Sequence, residues 1–140
     1  MASVKGTNFT NITATPIVKI DSGEWTGKLR VQYDSYEASS LAQGSDISVA
    51  RLPKGAKVYE VIVHHDALGT GVTLSVGDSG SATRYIGATA AATAGKLVMS
   101  EDGAIDGFCY EQTAETDVLI TTGGGTAGGT IKVAVIYSVE

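Results

Sequence analysis

Val58-Tyr-Glu-Val-Ile-Val-His-His65 decides the fold class of this 140-residue chain. Five of its eight residues are Val, Ile or Tyr, side chains that suit a pleated, half-buried surface. Both of its faces read as apolar, Val58 and Ile62 on one and Tyr59, Val61 and Val63 on the other. The segment is expected to be a central strand covered on two sides. Outward from it the same period of two recurs. Upstream, Leu29, Val31 and Tyr33 share one face and Lys28, Arg30 and Gln32 the other, a half-buried strand with its apolar face inward. Residues 46–52 alternate with Ile47 and Val49 inward, and Pro53-Lys54-Gly55 turns the chain.

Downstream, Asp66 to Gly71 breaks the central strand. Val72, Leu74 and Val76 then alternate with Thr73 and Ser75, and Gly77-Asp78-Ser79-Gly80 leads into a short strand at Thr83 to Ile86, a hairpin. Residues 88–95 are the one helix-like stretch, too short to stand alone and equally readable as a loop. Lys96–Ser100, Phe108–Tyr110, Asp117–Thr122 and Thr130–Val139 complete the strands. Gly123 to Gly129 is read as a flexible hairpin loop before the last of them. Glu101-Asp102-Gly103 and Asp106-Gly107 read as turns.

The sum is eight or nine short strands with turn signals between them. That pattern predicts an all-β, single-domain β-sandwich or jelly roll over residues 27–140. Residues 1–26 lack helical periodicity and are expected to be an extended N-terminal arm. One domain is what this length supports.

Composition narrows the function. Ten basic against fifteen acidic residues leave a net charge of −5, and no segment gathers Lys or Arg, so the basic face of a nucleic-acid binder is not expected. No apolar run is long enough to span a membrane, and the first residues carry no apolar core of a secretory signal. Cys109 is the single cysteine, which excludes an internal disulfide and suits a reducing cytoplasm.

Few side-chain groups have the spacing of chemistry. Ser79 in Gly77-Asp78-Ser79-Gly80 has the setting of a serine nucleophile, but the composition is also that of a turn, which is the reading preferred here. His64 and His65 are adjacent on a strand, so their rings diverge and a metal site is not expected. The carboxylates are scattered, and residues 123–129 lack the Gly-Lys-Ser/Thr ending of a phosphate loop. No catalytic residue, cofactor or metal is assigned. Among the aromatic residues, Tyr33 and Tyr59 are read as core, whereas Trp25, between Gly23 and Gly27, reads equally well as core or as interface anchor.

A Thr-rich arm, Ile20-Asp-Ser-Gly-Glu-Trp25 and an alternating strand are followed by Ala50-Arg-Leu-Pro-Lys-Gly-Ala56, Val58 to His65, Asp66 to Asp78 and Arg84-Tyr-Ile86. In this order the segments resemble the cement or decoration proteins of tailed double-stranded DNA phage heads, over most of residues 15–140. The resemblance implies a structural protein without enzymatic activity. It implies a protein made in the host cytoplasm and carried on the outer capsid surface, where it bridges neighbouring copies of the major capsid protein. The resemblance also implies self-association, a homodimer favoured over a homotrimer. The arm is expected to reach across a neighbour, and the expected capsid or oligomer contacts are Pro16, Ile17, Val18, Ile20, Trp25 and Tyr36. Two other classes fit a jelly roll: a carbohydrate-binding or adhesion module of the particle, and a cupin-like enzyme, for which the histidines are too few.

Overall fold

A computed structural model describes residues 2–102 and 107–139. Its elements are α1 (Thr7–Ile12), β1 (Leu29–Leu41), β2 (Asp46–Leu52), β3 (Lys57–His65), β4 (Thr73–Asp78), β5 (Ser81–Ala90), β6 (Gly95–Val98), α2 (Met99–Asp102), β7 (Tyr110–Glu111), β8 (Thr116–Gly123) and β9 (Ala127–Ser138). One sheet has the order β1-β9-β3-β6, with β7 also pairing β3, and the other has the order β2-β8-β4-β5. All pairings are antiparallel. Most consecutive strands change sheets, and the first and last strands lie side by side, which is the jelly-roll form of the β-sandwich.

The core lies between the sheets, and β3 and β9 carry much of it. A bulge between Val58 and Glu60 resets the alternation, so that Val58, Val61 and Val63 face inward together and are fully buried. From β9, Ile131, Val133 and Val135 meet them. Each such side chain contributes about 1.5–3 kcal/mol by leaving water. The expectation that β3 is covered on both faces is corrected. Its outer side carries Glu60, Ile62 and His64, of which Ile62 is half-buried and His64 exposed, because each sheet of a sandwich packs its partner on one face.

The Gly77–Gly80 turn joins β4 and β5 as expected. Asp78 Oδ1 accepts the N–H groups of Gly80 (2.9 Å) and Ser81 (3.0 Å), and its Oδ2 accepts Arg84 Nε (2.7 Å). The glycine-rich stretch before β9 is not a hairpin loop, since β8 and β9 belong to different sheets. It is a close-packed corner. Gly124 has φ +74°, and a Cβ there would stand 1.9 Å from the carbonyl oxygen of Gly71. Residues 88–95 form no helix: β5 runs to Ala90, and Ala91 is tied into the sandwich by accepting from Leu68 N–H and donating to Val72 O. Glu101 and Asp102, expected in a turn, belong to the short helix α2 instead, and Gly103 and Asp106 of the expected turns lie outside the described residues.

The N-terminal segment also departs from expectation, because residues 7–12 close a short helix instead of extending. Thr10 N–H donates to Gly6 O, and the hydroxyls of Thr10 and Thr13 bond back to the carbonyls of Gly6 and Phe9. Local bonds of this kind close a turn without the apolar periodicity that would announce a helix.

Candidate interaction surface

The arm is tied to the domain at its base. Asp21 to Trp25 makes a turn in which Glu24 and Trp25 N–H groups donate to Asp21 O. The turn docks beside the start of β3. Lys57, whose side chain is only 5% exposed, pairs with Asp21 and has Glu111 at 3.7 Å and Glu24 at 3.9 Å. Burial works against the charge on Lys57, but its acidic neighbours outweigh it and raise the Lys57 pKa above the ordinary 10.5. The Lys57 ammonium and then the Gly23 N–H lower the Asp21 pKa below 3.8. Gly23 O accepts from Tyr59 Oη (2.9 Å) and Ser138 Oγ (2.7 Å). Trp25 and Ile20 are half-buried here, whereas Pro16, Ile17 and Val18 stand exposed on the free part of the arm.

A second apolar surface lies on β1, with its faces the reverse of those expected. Leu29, Val31 and Tyr33 are 68%, 62% and 63% exposed. Of the polar face, Gln32 turns inward, while Lys28 and Arg30 stay exposed. Gln32 sits opposite the buried Val135 of β9 and reaches β2, where its Nε2 donates to Arg51 O (2.7 Å) and its Oε1 accepts Arg51 N–H (2.9 Å). Gln32 also reaches Tyr137 Oη at 3.1 Å. These bonds satisfy a polar side chain at the sandwich margin, so the alternation is kept while its sense flips. Tyr33, expected in the core, is on the surface, and Tyr36 lies on the opposite face of β1, across from Ile131.

The register extends the exposed stripe across the sheet. Val31 stands opposite Ile136 and Tyr33 opposite Ala134. Ala134 is in turn opposite Ile62, and Ile62 opposite Val98. Ile136, Ala134, Ile62 and Val98 are half-buried. An apolar band therefore crosses the outer face of this sheet from β1 to β6. Sequence reading found the alternation of β1 but not this band, which four strands distant in sequence assemble. The sequence-selected residues do not form one cluster: Ile20 and Trp25 sit at the docked turn, Pro16, Ile17 and Val18 on the arm, and Tyr36 on the inward side of β1.

The groups weighed for chemistry have structural partners. Asp78 is engaged by its turn and by Arg84, whose guanidinium also stacks 3.9 Å over the Tyr110 ring. Ser79 is exposed on that turn. His64 points outward and His65 is buried, its Nδ1–H donating to Asp66 O (2.8 Å). Among the described residues no three His, Cys, Asp or Glu side chains are grouped to hold a metal ion, and no helix is long and apolar enough to cross a membrane. Tyr85 is buried with Gln112 Nε2 donating to its oxygen (2.6 Å), and burial raises its pKa.

Three solved structures with a similar fold come from phage capsids. A chain of the cyanophage Pam1 capsid asymmetric unit is 30% identical with a TM-score of 0.66, over 81% of this chain and 86% of that one. A chain from the capsid of Ralstonia phage GP4 is 22% identical with a TM-score of 0.66, over 81% and 86%. One from the acid-stable capsid of Helicobacter pylori bacteriophage KHP30 is 13% identical with a TM-score of 0.59, over 81% and 90%. The last two show likeness of fold. No family model matches the chain, and no curated protein does.

Proposed function

This chain belongs to a family of phage capsid proteins, and from that premise we propose that it is a decoration protein, which binds the outer surface of the shell and bridges neighbouring copies of the major capsid protein. It acts by binding alone, with no catalytic step and no cofactor. The observation that carries this reading is the apolar band on the outer sheet face, with Leu29, Val31 and Tyr33 exposed at its margin. A contiguous apolar surface of this kind on a folded domain marks an interaction site. The arm supplies a second contact through Phe9, Ile17 and Val18, all exposed. Two contacts on different capsid subunits make the second one intramolecular and raise its effective concentration. The net charge of −5 favours the outside of the shell over the side facing packaged DNA.

The test is to add the purified chain to capsid shells assembled without it, follow co-sedimentation, and image the particles by cryo-EM. Density over subunit junctions on the outer surface is expected. Replacing Leu29, Val31 and Tyr33 together by Ser is expected to weaken binding at least about tenfold, as loss of buried anchors does. A chain that stays in the supernatant, or density confined to the shell interior, would remove the reading.

A further inference from the structure

Resting on the decoration reading for its purpose, we infer that the partner surface covering the apolar band is acidic along one side, and that a basic row of Lys96, His64 and Lys132 takes its carboxylates. Strands distant in sequence bring the row together. His64 on β3 stands opposite Lys96 of β6 and opposite Lys132 of β9, and all of them are exposed. Neighbouring strands lie about 4.8 Å apart, so the lysines flank the imidazole at the spacing of the sheet. Two residues along each strand, on the same face, the register gives Val98, Ile62, Ala134 and Tyr33, about 7 Å away. The basic row is therefore a border of the band, and a partner that covers one covers the other. The opposite border differs. There Glu60 stands in register with Ile136 and Val31, and its Oε1 accepts the N–H groups of Val61 and Ser100, each at 3.1 Å.

Charge decides the chemistry of that partner. The chain is acidic overall, at −5, yet this row carries no carboxylate. Ammonium groups on either side of an imidazole add nothing to the sheet's own pairing, where opposite charges would. Among the described residues Lys132 has no ion-pair partner, and Lys96 has only the exposed Glu101 at 3.7 Å, a contact worth little in water. Beyond the row, Glu37 and Asp66 are both engaged at Thr130: Asp66 Oδ2 accepts its N–H at 3.0 Å, and Glu37 Oε2 accepts its hydroxyl. A hollow of about 220 Å³ opens beside His64 and Lys132, lined also by His65, Asp66, Gly95 and Thr130. Gly95, opposite His65, brings no side chain to fill it. An ammonium buried without an anion is costly, so cover over the band calls for carboxylates over the row. The partner therefore carries Asp or Glu side chains on one side of its apolar ridge, and this one-sided charge fixes the orientation in which it docks.

Co-sedimentation of the full chain with capsid shells assembled without it, at low and high salt, tests this, with far-UV circular dichroism to confirm the fold of each variant. Lys132→Glu and Lys96→Glu are each expected to raise the dissociation constant at least about fivefold, and together at least about thirtyfold, because like charges then meet at a covered border. Exchanging both lysines for arginine is expected to stay within about threefold of the wild type, since the charge is kept. Wild-type binding is expected to weaken at least about fivefold between about 0.05 and about 0.5 M NaCl, and that of the double glutamate variant by less than about twofold. A second measurement does without shells: isotope-labelled chain is titrated with decaglutamate, and NMR shifts are expected at the amides of Lys96, His64 and Lys132. Charge reversals that leave shell binding unchanged, while the triple serine replacement at Leu29, Val31 and Tyr33 weakens it, overturn the basic row and leave the decoration reading standing. Shells that capture no chain, with decaglutamate still on the row, remove the decoration reading and support the row as a carboxylate site. A row that answers neither in the shell assay nor to decaglutamate overturns the inference, and one that answers to a polyphosphate but not to decaglutamate overturns the assignment to carboxylates.

Discussion

β1 and β2 lie on the same margin of the sandwich, one at the edge of each sheet, and both alternate apolar with polar residues. β2 buries Ile47, Val49 and Leu52. β1 turns Leu29, Val31 and Tyr33 to solvent and sends Gln32 inward to the backbone of β2. Alternation thus establishes which residues share a face, and the neighbours decide which face is dry. One strand is an ordinary wall of the core, while the other is held to its neighbour strand through Gln32 and offers its apolar side to something else.

The contrast can be broken most strongly from the β2 side. Leu52 is fully buried, so Leu52→Ala is expected to lower unfolding free energy by about 2–5 kcal/mol in a urea titration. Next comes the anchor just before β1. Asp21→Asn removes the charged partner of the nearly buried Lys57 and is expected to cost about 1.5–3 kcal/mol, with Glu24 and Glu111 left to share the lysine. The pH dependence has a definite sign. The lowered pKa of Asp21 makes its contribution present above 3.8 and lost as pH falls through the folded value, below 3.8. The raised pKa of Lys57 keeps its contribution below 10.5 and loses it as pH rises through the folded value, above 10.5. Trp25 is the single tryptophan, so its fluorescence should report release of the docked turn at both extremes and stay flat between them.

A smaller effect sharpens the link between the two strands. Gln32→Ala removes the bonds to Arg51 and is expected to cost about 0.5–1.5 kcal/mol by the same titration, because water can reach the exposed β2 edge. The smallest effect on stability belongs to the outer face. Val31→Ser is expected to change unfolding free energy by less than about 0.5 kcal/mol while weakening capsid binding. A large loss of stability there would mean that the stripe belongs to the core of this chain.

Much of the fold was legible because local chemistry dictates it. The inward Ile47 and Val49, the alternation of residues 130–139, the Pro53–Gly55 turn and the Asp78-centred turn came through as written, since each depends on side chains a few residues apart; the alternation expected through residue 52 is broken by a bulge between Ser48 and Ala50, which leaves Arg51 exposed and buries Leu52. The bulge at Tyr59, which sets Val58 in line with Val61 and Val63, was not legible, because it answers to the register against β9. The corner at Gly123–Gly129 was misread for a related reason: its glycines read as freedom, but Gly124 is needed where it meets Gly71, a loop more than fifty residues away. The short helix at residues 7–12 rests on threonine hydroxyl and backbone bonds that leave no apolar period.

For the candidate surface the division is similar. The sequence by itself determined that this is an acidic, strand-built chain with Leu29, Val31 and Tyr33 on a common face, because the period of two follows from backbone geometry alone. Only the tertiary structure decided that this face looks outward and joins Ile136, Ala134, Ile62 and Val98. Burial is a property of what lies across the gap, and the strands that settle it, β2, β3 and β9, come from distant parts of the chain.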